Sequence, residues 1–265
     1  MHLPDFERVI YERNPLIQVA CQLRFPPILK ISHHEPVEFQ DRVRSHYPLF
    51  ETTSTQVPPE ISQFIQQIGA PLRSEVSYNF KSEDMQWQLS IGRDFISLTT
   101  SHYKSYEDFK PKFKEAVDVF EEIYNPSFYT RLGLFYQDLI FRSKLGLKDK
   151  SWSELITEQI ASELYNQDFE DSIESLTKNL ILQAEFGKIN LQHGLVNVKE
   201  AQKDIEETCY LLNADFYTEK RIERDGSTWN ILNEFNRSAR NLFRWSITDT
   251  LHNAMRPRNV EISVT

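Results

Sequence analysis

Nowhere in the 265 residues do about 18 apolar residues run together, so the sequence offers no membrane-spanning helix. The opening segment MHLPDFERVIYERNP carries Asp and Glu and lacks an apolar core, which is not the pattern of a secretory signal. A cytosolic protein is the expectation. Only two cysteines are present, Cys21 and Cys209, with no CxxC pair and no neighbouring histidine, so neither a disulfide framework nor a thiolate metal site is indicated. Both read as buried, reduced thiols. Glycines number seven and methionines three, and there is no low-complexity tract, which argues against extended disorder. Also missing are GxGxxG, GxxxxGK(S/T) and GxSxG, which disfavours the common nucleotide and hydrolase sites.

The formal net charge is −9, so no global positive field draws the chain to nucleic acid or anionic lipid. Aromatic residues make up 12%, and the length suffices for a sizeable core. The stretch Phe128–Arg142, apolar on both alternating faces, reads as a strand buried between layers. Before it, Pro15–Phe25 alternates as a strand, Pro36–Tyr47 has the spacing of a short helix, and Glu75–Lys81, Met85–Ile91 and Asp94–Thr100 read as three strands. A brief helix is expected within residues 61–71. Tyr106–Tyr124 is an amphipathic helix whose regular part should start at Asp108 or later, because of Pro111.

After Phe128–Arg142, Ser151 and Glu154 form a capping box ahead of a second short helix ending near Leu164. Three long strands follow, Ser172–Phe186, Lys188–Val198 and Thr208–Thr218, and then a helix over Ser227–Met255. Both halves thus read strand, short helix, three strands, long helix. The expectation is an α+β fold of two β-α-β-β-β-α halves, 1–125 and 126–265, packed as one compact unit by internal duplication. Their antiparallel strands would form one curved sheet covered by the long helices, a plan analogous to TATA-binding-protein-like and helix-grip domains.

RLGLFYQDLI at Arg131–Ile140 resembles the R-x-G-L-R-Y-x-N-x-I signature of a sporadically distributed bacterial family of uncharacterised proteins. NPLIQVACQLRFP at Asn14–Pro26 is similar to that family's N-P-P-L-I/V-E opening. WQLSIGRDFISLTTSHYKSYEDF and LNEFNRSARNLFRWSITDTLHNAM resemble its middle hairpin and its closing L-x-E-L-H…F-x-x-x-I-T helix. Gln18, Phe135, Asp138 and Asn236 depart from the family's Glu, Arg, Asn and His. The resemblance spans nearly the whole chain and implies a fold, with no reaction attached.

Candidate functional residues are few. Adjacent His33, His34 and Glu35 read as a solvated turn, so no metal, cofactor or catalytic residue is assigned. Asp138, Glu185, His193 and Asp215 are polar groups inside strands, where burial costs energy unless they are paired. A ligand or partner pocket is expected around Arg131, Tyr136, Asp138 and Asp215. Arg237, Arg240 and Arg244 share one face of the last helix, as a phosphate-contacting ridge would. The leading reading is a non-catalytic cytosolic binding or regulatory protein acting through a protein partner. The alternatives are nucleic-acid binding through a concave sheet face and the Arg ridge, and an enzyme or small-ligand sensor near Arg131 and Asp138.

Overall fold

A computed structural model describes residues 3–55, 75–200 and 205–259. The fold is α+β: β1 (Val9–Tyr11), β2 (Leu16–Arg24), α1 (Leu29–His33), α2 (Val37–Val43), β3 (Leu49–Thr55), β4 (Glu75–Lys81), β5 (Trp87–Gly92), β6 (Phe95–Thr100) and α3 (Tyr106–Tyr124). Then come β7 (Arg131–Ile140), α4 (Arg142–Leu145), three short 3-10 turns, β8 (Lys178–Gln183), β9 (Lys188–Glu200), β10 (Ile205–Thr218), α5 (Ser227–Ser246), α6 (Asp249–Ala254) and β11 (Pro257–Asn259). No described helix is long and apolar enough to cross a membrane. The helix expected within residues 61–71 lies outside the described residues.

Nine strands form one large antiparallel sheet, ordered β3-β4-β5-β6-β2-β7-β10-β9-β8, while β1 pairs with β11 in a separate two-stranded ladder. By packing, the chain divides into two compact units. An inserted unit comprises Ala20–Leu132 and Glu219–Thr228; a terminal unit comprises Met1–Val19, Gly133–Thr218 and Trp229–Thr265. Strands β2 and β7 run from one into the other.

In the inserted unit, the alternation of β4, β5 and β6 sends Tyr78, Phe80, Leu89, Ile91, Ile96 and Leu98 to one face. That face is closed by the stripe Phe109, Phe113, Ala116, Val117 and Phe120 of α3 and by Phe39 of α2. Aromatic rings meet at sensible angles, Phe39 with Phe80 at 5.5 Å and Phe25 with Phe120 at 4.8 Å. Helix α3 starts at Tyr106, two residues before the expected point, because Ser105 caps it by accepting from the Asp108 amide. Pro111 is tolerated inside because burial of Tyr106, Phe109 and Phe113 outweighs one lost backbone bond.

In the terminal unit, Tyr210, Leu212, Ala214 and Phe216 of β10 and Ile189, Leu191 and Leu195 of β9 face Leu232, Phe235 and Leu242 of α5. The segment expected as a second short helix is instead a capped 3-10 turn at Trp152–Glu154 followed by further 3-10 turns. Its capping box is formed as expected, but long-range bonds then take over. Ile156 bridges Ile247, and the Thr157 amide donates to Ser246 O. The same bonds break the last helix at Ser246, and Thr248 caps α6 by accepting from Leu251. Outward from β2 the sheet runs β2-β6-β5-β4 and outward from β7 it runs β7-β10-β9-β8, the same order, with β3 added beyond β4 in the first set only.

Candidate functional site

Strand β8 ends the large sheet. The Leu176 amide donates to Leu195 O and the Ala184 amide to Gly187 O, so even-numbered residues of β8 turn their backbone groups toward β9. The backbone groups of Asn179 and Ile181 therefore point outward, and among the described residues they have no partner. Ile181 is 70% exposed and Leu180 39%. Natural edges are usually blunted by charge, proline or a bulge; residues 179–184, NLILQA, contain no charge and no proline. The hairpin tip adds half-exposed Phe186 beside a cleft of about 210 Å³, which Lys188, Glu234 and Arg237 also line.

Of the residues expected to form a pocket, Tyr136 and Asp138 lie on the opposite sheet face from Asp215. Arg131 belongs to the inserted unit, whereas Tyr136, Asp138 and Asp215 belong to the terminal one. Tyr136 donates to Asn236 Oδ1 of α5 at 2.9 Å, which places Tyr136 and, two residues on, Asp138 on the helix-covered face. Asp215 alternates with buried Phe216 and so lies on the opposite face, across from Asn190. Asp138 is 5% exposed, and no group among the described residues donates to or pairs with its carboxyl. Burial raises its pKa to about 8. Its charge, when present, also bears on Tyr11, which burial raises to about 12 and which shares a 2.8 Å hydrogen bond with His252 Nδ1.

Each ridge arginine faces a carboxylate of its own unit: Arg237 with Glu234 at 2.5 Å, Arg240 with Asp5 at 3.9 Å, and Arg244 with Asp249. A phosphate would have to displace these partners.

A second cluster was visible in the sequence only as His193. On the helix-covered face of β9 and β10, His193 Nδ1 and Tyr210 OH share a buried 2.8 Å bond, and Trp152 packs on Tyr210 at 5.9 Å. Burial, and then Lys178, holds His193 down at about 4, while Glu163 opposes them. The Arg142 guanidinium lies over the Trp152 ring at 4.8 Å and donates to Lys150 O. Arg142 Nε and Trp152 Nε1 are buried with no hydrogen-bond partner among the described residues. Both side chains line a cleft of about 190 Å³ with Leu164, Glu170, Ile173 and Leu195. No periodic sequence signal joins these positions, because they meet only through the 3-10 segment. Comparison with known protein families and with curated proteins gives no match for this chain.

Proposed function

We propose that this chain is a non-catalytic binding or regulatory protein of the cytosol, and that its protein partner docks an extended segment on β8. The bare edge carries this reading: outward amide and carbonyl groups at Asn179 and Ile181, flanked by exposed apolar side chains, are what strand addition requires. The matching strand order outward from β2 and from β7 supports descent by internal duplication, on a TATA-binding-protein-like or helix-grip plan.

The test is Ile181→Pro. Its outward N–H serves no internal ladder bond, so proline removes the docking donor while leaving the fold intact. A partner that copurifies from the native cell should protect the Asn179 and Ile181 amides from hydrogen exchange and lose at least about tenfold in affinity for the variant. A partner held equally well by the variant would end this reading.

A second reading, a small-ligand sensor, is favoured by the two unpartnered donors at the Arg142–Trp152 cleft. One guanidinium with Glu170 nearby suits a monoanionic carboxylate on an apolar body better than a dianionic phosphate. Isovalerate should shift the Trp152 indole N–H resonance saturably, and 3-methylbutanol should not. Equal shifts with both compounds, or none with either, would dismiss it. Nucleic-acid binding through Arg237, Arg240 and Arg244 has weaker support, since all three are already matched by carboxylates.

A further inference from the structure

The β8 edge is self-complementary. About Ile181 the sequence reads Asn-Leu-Ile-Leu-Gln, polar, apolar, apolar, apolar, polar, the same in both directions. An antiparallel strand pairing with this edge must bond to its outward-facing, odd-numbered residues. When the incoming strand is β8 of a second copy, a two-fold axis through Ile181 satisfies that rule. Ile181 then lies opposite Ile181 of the partner subunit and exchanges two backbone hydrogen bonds with it. Leu180 comes opposite Leu182 of the partner subunit on the helix-covered face, and Asn179 opposite Gln183 of the partner subunit on the other face. Every cross-strand pair over Asn179–Gln183 thus joins like polarity with like, and no charge meets its own sign.

The flanking charges agree with this arrangement. Antiparallel pairing about Ile181 sets Ala184 of the partner subunit, and not a second cation, opposite Lys178, whose ammonium is already held by Glu163 at 2.6 Å. In the parallel arrangement Lys178 would meet Lys178 of the partner subunit. The edge also presents Ile181 at 70% exposure, an apolar surface that pairing would cover.

We infer that β8 pairs with β8 of a second copy across a two-fold axis at Ile181, joining the two large sheets into one. This rests on the reading of β8 as a docking edge, and it names the first occupant. Self-pairing and partner docking then exclude one another, so protein concentration sets how much of the edge is available to a partner.

Sedimentation or light scattering over a concentration series tests the inference. The wild type is expected to pass from the 31.3 kDa chain mass to twice that mass between about 1 and 300 µM. Ile181→Lys, which sets two like charges face to face at the axis, should weaken association at least about 100-fold with an unchanged circular dichroism spectrum. Ile181→Cys should give an oxidised dimer joined at that position, whereas Lys148→Cys should not. A wild type that keeps the single-chain mass throughout, or a dimer indifferent to Ile181→Lys, overturns self-pairing. Neither result touches partner docking, which stands or falls with Ile181→Pro and the copurified partner.

Discussion

Asp138→Asn stabilises the protein at pH 8 by on the order of 3 to 5 kcal/mol and leaves its stability at pH 4 nearly unchanged. The carboxyl titrates from 3.8 in the unfolded chain but near 8 in the folded one, because burial strips water from the anion and no donor replaces it. As pH rises from 4 to 8, the unfolded chain releases this proton and the native state holds it. The unfolded state gains, and stability contributed by the protonated group is lost across that window. Asparagine has no such proton, so the alkaline decline disappears with it.

His193 acts on the other limb. Held near pH 4 when folded and near 6.5 when unfolded, it takes a proton first in the unfolded chain, so stability present above 6.5 is lost as pH falls toward 4. His193→Gln should flatten that acid limb by about 2 to 3 kcal/mol. Urea unfolding at half-unit pH steps measures both variants. Parallel wild-type and Asp138→Asn curves from pH 4 to 8 would show that Asp138 ionises normally in the folded protein.

Gly194→Ala should cost about 3 to 5 kcal/mol, with β8 released first. Gly194 sits in β9 at a φ of +148°, a region that only glycine enters readily. A methyl group there would lie 1.8 Å from Leu176 O and 2.6 Å from Leu176 C, backbone atoms that cannot swing aside as a side chain could. Relief requires moving the chain that leads into β8, which breaks the Leu176–Leu195 backbone bond. Amide exchange at Lys178, Leu180 and Leu182, whose N–H groups face β9, should quicken before the rest of the sheet. Unchanged exchange at these three sites, with stability within about 1 kcal/mol of wild type, would contradict the close approach.

Long, strongly periodic elements were legible in the sequence. The apolar run at Phe128–Arg142 became β7, and the stripes of α3 and α5 bury the residues their spacing marks. Strand β3 was not legible, because the sequence of Leu49–Thr55, LFETTST, has no apolar-polar alternation and the strand owes its existence to pairing with β4. The spacing of Trp152, Leu155, Ile156, Ile160 and Leu164 suits a helix, yet the bridge between Ile156 and Ile247 outweighs that local preference. At the candidate sites, polar residues within strands were visible, but not which face of the sheet each would occupy. Asp138 and Asp215 looked equivalent and lie on opposite faces. An open edge has no signature of its own in one dimension, since it is defined by the strand that does not lie beside it.

The pairing of β1 with β11 has a consequence for synthesis. Val9–Tyr11 leaves the ribosome on the order of tens of seconds before Pro257–Asn259, its partner. The bond between Tyr11 and His252 and the ion pair of Arg258 with Glu12 wait equally long. The inserted unit can gather most of its strands early, while the terminal unit must hold its first segment open until the last helix arrives. A stalled or shortened translation product that lacks Pro257–Asn259 therefore leaves the backbone groups of Val9–Tyr11 without their ladder partner.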